Sequence, residues 1–180
     1  MSSAMPDPSG EDRILQLVER FTHIGETAMR ELPIYNHALQ VDAIGFKPMA
    51  AGWLGILITP WFINVVLLPK QKQEATIPLG EKVTHELISG EHEFIVGEDD
   101  ELGRYDFLTL ASPTLKYKSH QAACDAAQKA LTKLLTPADE ARTAIPEQPV
   151  HFVTAEQKGK ERRAFLRGLI PGERPSDVND

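Results

Sequence analysis

Residues 52–69 read GWLGILITPWFINVVLLP, an uncharged run of eighteen residues in a chain that is 25% charged. Its length is that of a membrane-spanning helix, but its residues are not. Pro60 stands mid-run, where it would remove a backbone donor and clash with the preceding turn. Ile56, Ile58, Ile63, Val65 and Val66 are β-branched, and Trp53, Trp61 and Phe62 are aromatic, so each half reads as a strand. Apolar side chains on successive positions predict strands covered on both faces. The run is read as a central hairpin, 53–58 and 61–68 around a turn at Thr59-Pro60, in a soluble core rather than a membrane.

Working outward, Ile14, Leu17, Val18, Phe21, Ile24 and Ala28 recur at helical spacing, predicting an amphipathic helix over 11–32 that Pro33 stops. Ser9 and Asp12 resemble a capping pair at its start. Further strands are expected at 41–46, 82–87, 92–96 and 105–111, with turns at 89–91 and 97–103. Short connections favour antiparallel pairing. A second helix is expected at 120–135, capped by Ser119, with Ala123, Ala126, Ala127, Ala130, Leu131 and Leu134 on one face. The class is α+β: a mostly antiparallel sheet of five or six strands packed by two helices. Residues 1–10 read as a disordered N-terminus, 11–136 as one domain, and 137–180 as a flexible, Pro-rich, locally basic tail.

The formal charge of −7 argues against general binding to nucleic acid, which needs clustered Lys and Arg. The N-terminus lacks a basic region followed by an apolar stretch, so no secretory signal is expected. With no span assigned either, the expected location is the cytoplasm. Cys124 is the sole cysteine, so no intramolecular disulfide and no paired-cysteine metal or redox site can form.

The motif search favours binding over catalysis. No GxSxG elbow, P-loop or GxGxxG phosphate loop is present. His85-Glu86 and His92-Glu93 flank a predicted turn, which would bring two imidazoles close together, but HExxH is absent. Glu98-Asp99-Asp100-Glu101 lacks the alternating ligands of an EF-hand loop and reads as a solvated turn. Cys124 reads as a small, half-buried apolar residue. Trp53, Trp61 and Phe62 have two readings. In the first, at least two of them fill the sheet–helix core. In the second, one of them faces a groove as a partner anchor, since Trp61 and Phe62 on a strand would point to opposite faces and cannot both enter one core layer.

Trp53, Gly55, Thr59, Pro60 and Trp61 form W-x-G-x-x-x-T-P-W. In order along the chain follow Phe94-Ile95-Val96-Gly97-Glu98, then Tyr105 with Leu110-Ala111-Ser112-Pro113, then Arg162-Arg163-Ala164-Phe165-Leu166. Together these resemble the HybE/HupJ family of [NiFe]-hydrogenase assembly chaperones over about residues 12–168. The resemblance implies a non-catalytic, cytoplasmic maturation factor without a cofactor. It would bind a large or small hydrogenase subunit precursor before twin-arginine export, with a rubredoxin-type accessory protein as a further partner. Thr59, Pro60, Trp61 and Phe62 are the expected partner-binding residues, joined by Arg162, Arg163 and Phe165, whose RR-x-F-L form is similar to the core of a twin-arginine signal. No adequate apolar stretch follows that segment, so it is not expected to export this chain. Two rival readings stay open: a metal-binding accessory protein using His85 and His92, and a small-ligand module using the tryptophans.

Overall fold

A computed structural model describes residues 10–141, all within the unit Met1–Pro146. The expected pairs Ser9–Asp12 at one end and Arg162–Arg163 at the other therefore have a member or both outside the described residues. Six strands form one sheet: β1 (Asp42–Met49), β2 (Gly52–Ile58), β3 (Ile63–Leu68), β4 (Lys82–Leu87), β5 (Gly90–Asp99) and β6 (Gly103–Ala111). Their order is β1-β2-β3-β6-β5-β4, with every neighbouring pair antiparallel. Two three-stranded meanders thus meet at the β3–β6 pair, and the α+β expectation holds.

The 52–69 run forms the centre of the sheet. Every residue of β3 is buried, and every residue of β2 except the half-buried Trp53. Leu54, Ile56, Ile58, Ile63, Val65 and Leu67 pack on one face with helix α2 (His120–Leu134). Leu57, Val66 and Leu68 pack on the other with helix α1 (Gly10–Ile24). Alternation along the strands sends successive side chains to opposite faces, so the uncharged run needs both helices. On α2 the buried line is Ala123, Ala127, Leu131 and Leu134, and the Ser119 hydroxyl accepts the Ala122 N–H at 3.2 Å, as the spacing predicted. A short helix, α3 (Ala138–Ala141), follows. No helix of the described residues is long and apolar enough to cross a membrane.

Helix α1 departs from expectation at its end. It stops at Ile24 and widens into a π-helical turn, Gly25–Met29. A Cβ on Gly25 would stand 3.1 Å from the Trp61 ring, so the backbone passes close to the indole there. The buried stripe is Gly10, Arg13, Leu17, Phe21 and Gly25, while Ala28 is exposed because the wider turn shifts its angle. Arg13 belongs to the stripe although charged: it is 2% exposed. It donates to the Leu102 carbonyl at 3.0 Å, the Pro69 carbonyl at 3.4 Å and Gln16 Oε1 at 3.3 Å. Burial pulls its pKa below the ordinary arginine value, yet a guanidinium stays protonated.

β1, β5 and β6 also run longer than the sequence suggested. β5 starts at Gly90 and reaches Asp99, leaving only Asp100–Leu102 as the turn. The solvated acidic turn is likewise corrected at one residue. The Asp99 side chain is 11% exposed and bonds Arg20 of α1 at 2.8 Å, while its other oxygen accepts the N–H groups of Glu101 and Leu102. Burial alone would raise the Asp99 carboxyl, but these bonds outweigh it and hold its pKa below the ordinary value.

A bulge in β1 sets the packing against β2. Gly45, at φ +62°, occupies the left-handed region, and the register shifts between Ile44 and Lys47. The extra residue turns Phe46 onto the α1 face, where its ring lies over Gly55. A Cβ on Gly55 would stand 2.3 Å from that ring and 2.8 Å from the Phe46 Cα. Gly55→Ala is expected to destabilise the protein by about 1–3 kcal/mol in urea unfolding, through overpacking; an unchanged midpoint would show that Phe46 moves freely. The Asp99 pKa makes a second expectation. Its folded value lies below its unfolded one, so its stabilisation is present above about pH 4 and lost as pH falls through the folded value. Wild type should lose stability over that acid range more steeply than Asp99→Asn, and equal slopes would remove Asp99 from the account.

Candidate functional site

Residues Thr59–Phe62 connect β2 to β3 as a four-residue loop, which corrects the two-residue turn expected at Thr59-Pro60. Thr59 organises it. Its N–H donates to the Phe62 carbonyl at 2.8 Å, and its hydroxyl accepts the Phe62 N–H at 2.9 Å and the Trp61 N–H at 3.3 Å. The Thr59 Oγ1 also lies 3.0 Å from the Phe62 carbonyl, to which it donates. The Trp61 and Phe62 N–H groups, which a sheet ladder would satisfy, are satisfied by one side chain instead. Pro60 supplies the second fixed point. Its carbonyl accepts the Asn36 N–H at 2.8 Å and the Thr114 hydroxyl at 2.7 Å. The Asn36 amide in turn donates to the carbonyls of Thr114 and Tyr117, both at 2.8 Å. Thr114 follows the cis peptide Ser112-Pro113, so the 110–113 motif and the Thr-Pro-Trp motif meet here.

The loop geometry overturns the argument that Trp61 and Phe62 must part. Neither lies in a strand, and both pack on the α1 face. Trp61 is 7% exposed, stacked on Tyr35 at 6.2 Å between ring centres, and set edge-on to Phe62 at 5.6 Å. It faces no groove; Phe62, half-buried, is the loop aromatic with surface to offer. Thr59 and Pro60 are buried.

From Phe62 the aromatic contacts continue along the sheet. Phe21 of α1 stands edge-on to Phe62 at 5.7 Å and to Tyr105 at 6.3 Å, and Tyr105 contacts Phe107 at 6.0 Å. Gly97 is the floor under the last two: a Cβ there would meet the Tyr105 ring at 2.9 Å and the Phe107 ring at 3.2 Å. Burial and the Asp99 charge raise the Tyr105 pKa, so its hydroxyl stays protonated at neutral pH. Neither helix makes its main contacts with β4, β5 or β6. Phe62, Ile95, Tyr105, Phe107 and Thr109 are all half-buried. The result is an aromatic row whose one end is locked under α1 and whose other end runs onto the sheet. Sequence reading named Trp61 and Phe62, and Phe21 only as part of a helix face, but missed Tyr35 and Phe107. The alternation of Tyr105, Phe107 and Thr109 along β6 was the available signal.

Other candidates separate. His85 and His92 are direct cross-strand partners, as their flanking of a turn suggested. Each is engaged elsewhere: His85 Nε2 lies 2.7 Å from buried Asp106, and His92 Nε2 lies 2.8 Å from the Ser89 hydroxyl. Among the described residues, the group of three ligand-bearing side chains brought together is Asp42, His120 and Cys124 instead. Cys124 is half-buried against the α2-side core, and burial together with the Asp42 and Asp125 charges pushes its thiol pKa up. Arg162, Arg163 and Phe165 lie outside the described residues.

Two substitutions separate the roles in the loop. Thr59→Val keeps the shape but removes the hydroxyl, and is expected to cost about 1–3 kcal/mol by stranding buried N–H groups. Thr59→Ser should recover most of that; equal losses would mean that the methyl, not the hydroxyl, holds the loop. Trp61→Ala should cost about 3–5 kcal/mol in urea unfolding, as expected for a buried aromatic, whereas a loss below about 1 kcal/mol would place the ring at the surface.

Residues 12–168 match the family model described as "[NiFe]-hydrogenase assembly, chaperone, HybE". The hydrogenase expression/formation protein HupJ of Bradyrhizobium diazoefficiens is 36% identical over 154 residues, covering 86% of each chain. The protein HoxT of Cupriavidus necator is 32% identical over 174 residues, covering 90% of this chain and 93% of its own. The solution structure of HybE from Escherichia coli matches with a TM-score of 0.55 at 22% identity, covering 93% of both chains, and so shares the fold. The motif residues around the Thr59 loop and the aromatic row lie inside the matched span, and the chain belongs to the HybE family of [NiFe]-hydrogenase assembly chaperones.

Proposed function

We propose that this protein is a non-catalytic maturation factor that binds a [NiFe]-hydrogenase subunit precursor in the cytoplasm, before twin-arginine export. The aromatic row carries the reading. A row of half-buried rings that starts under α1 and runs onto the β5–β6 part of the same sheet face, beyond the main helix contacts, offers apolar area for a client segment without exposing a large free patch. Phe62, Tyr105 and Phe107 are the contact side chains, since aromatic residues in partly formed pockets dominate binding energy. Thr59, Pro60 and Trp61 act one step back, as the rigid base that sets the Phe62 ring.

Charge supports a basic client segment. The chain carries a net −7, and exposed Asp100 and Glu101, the latter shared with Arg20, stand at the β5–β6 turn. A signal bearing paired arginines would be drawn to such a turn, because opposite fields raise local concentration and encounter rate. The chain's own Arg162-Arg163-Ala164-Phe165-Leu166 has a similar form. In this proposal it competes with the client signal for the same acidic turn, at an effective concentration of roughly millimolar.

An affinity pull-down from cells expressing the hydrogenase operon, with subunits identified by mass spectrometry, tests the proposal. Phe62→Ala and Phe107→Ala should each lower recovery of a hydrogenase subunit while the purified variants stay folded. Undiminished capture by both variants would remove the row from the binding surface. Replacing Arg162 and Arg163 by Gln should tighten binding of a labelled twin-arginine signal peptide in fluorescence anisotropy. Weaker binding would mean that the two arginines contact the client themselves.

A further inference from the structure

Asp42, His120 and Cys124 stand apart from everything used so far. His120 and Cys124 are four residues apart in the first turns of α2, so they share one helix face. Asp42 opens β1, the strand on which α2 packs. One ligand atom from each side chain lies within 4.8 Å of the other two. We propose that these three side chains bind one divalent transition-metal ion of the Zn2+, Co2+ and Ni2+ class.

The donor set decides the class of ion. One thiolate, one imidazole and one carboxylate make a borderline set that suits these metals, whereas Mg2+ and Ca2+ take all-oxygen shells. A tetrahedral ion with bonds of about 2.0–2.3 Å sets its ligand atoms roughly 3.3–3.8 Å apart. The observed spacing therefore needs a closure of about 1 Å, within reach of rotation at the Asp42 and Cys124 side chains. The fit also requires a free imidazole nitrogen. His120 Nε2 lies 3.1 Å from Asp42 Oδ2, and its Nδ1 accepts the Gln40 N–H at 3.4 Å. The second contact is long and holds the ring weakly. The ion takes the place of the proton between His120 Nε2 and Asp42. That proton moves to Nδ1, so the long Gln40 contact opens to solvent at that exposed residue, and the Cys124 thiol releases its own proton to solvent as the metal–sulfur bond forms.

Burial matches a site that exchanges its ion. The His120 side chain is 23% exposed and that of Asp42 41%, so solvent reaches the position, while Cys124 is half-buried against the core. Three protein ligands leave a fourth place for water or for a group from another molecule, the arrangement of exchangeable rather than closed structural sites. The site lies on the α2 side of the sheet, opposite the aromatic row. Metal binding and client capture on the row are therefore separable.

Titration of the full-length, reduced protein with Co2+ tests the site, because a cobalt–thiolate bond adds a near-ultraviolet charge-transfer band that carboxylates and imidazoles do not produce. One equivalent of Co2+ should produce that band together with the visible bands of a four-coordinate ion, and Zn2+ should displace it. Cys124→Ser should abolish the charge-transfer band. His120→Ala and Asp42→Asn should each weaken binding by at least about tenfold, the loss seen even for outer-shell partners. His85→Ala should leave the titration unchanged. Absence of a thiolate band in wild type, or a band that survives His120→Ala at full affinity, overturns the assignment. Cobalt binding that Cys124→Ser leaves intact would likewise assign the ion to other side chains and overturn it.

Discussion

A hairpin buried on both faces is the constraint on which the other features of this fold rest. β2 and β3 expose almost nothing, so each face of the sheet centre must be covered, or apolar area on the order of 100 Å2 or more per large side chain stays in water. The two helices meet that demand in different ways. α2 uses Ala123 and Ala127 to come close to the sheet and Leu131 to fill the space beside Gly45. α1 uses glycines against tryptophans: Gly10 lies against Trp53, and Gly25 against Trp61. Close approach of backbone to indole replaces the usual interlocking of branched side chains. Such a helix is sensitive to its angle, which explains why it is also tied at fixed points.

Those ties are polar and differ in cost. Arg13 brings a charge into the core, and burying it removes favourable hydration that neutral carbonyls only partly replace. It joins α1 to the end of β3 through Pro69 and to the β5–β6 turn through Leu102. A neutral residue of that length could not donate to both carbonyls at once, since the guanidinium fork provides five N–H groups. Arg20 makes a second tie to the same turn through Asp99, nearer the solvent. Together they hold the β5–β6 hairpin against α1. The Tyr105 ring depends on that hairpin for its position under Phe21.

Much of this was legible because it rests on periodicity. The 52–69 run gave the central hairpin, alanines at helical spacing gave α2, and Ser119 gave its cap. Features that depend on partners distant in sequence were not legible. Gly97 looked like a turn residue, since glycine ends strands more often than it sits inside them; only the Tyr105 and Phe107 rings above it explain its place in β5. The strand rule for Trp61 and Phe62 failed because Thr59 takes the loop's N–H groups and delays the ladder until Ile63. The π-helical turn brings Gly25 against a Trp61 ring thirty-six positions away, and no local propensity encodes that contact. At the metal-ligand cluster, the His120–Cys124 spacing was visible. Its third member, Asp42, came only from the packing of α2 on β1.

The location of the recognisable motifs says what they are for. Trp53, Gly55, Trp61, Gly97 and Tyr105 are scattered over more than fifty positions, yet they all line the α1 face. Gly55 and Gly97 make room for rings, and Trp53, Trp61 and Tyr105 are rings. Five of the residues that identify the chain are therefore the floor and walls of one aromatic layer, while Phe94, Leu110 and Ala111 pack on the α2 side instead. In the binding role proposed for it, such a surface would derive its precision from buried neighbours, because a ring whose rotamer is fixed from below loses little freedom when a client covers it. Phe62 shows the arrangement at its simplest. Its backbone is held by the Thr59 hydroxyl, its ring by Trp61 on one side and Phe21 on the other, and only the remaining surface of that ring is left for a partner.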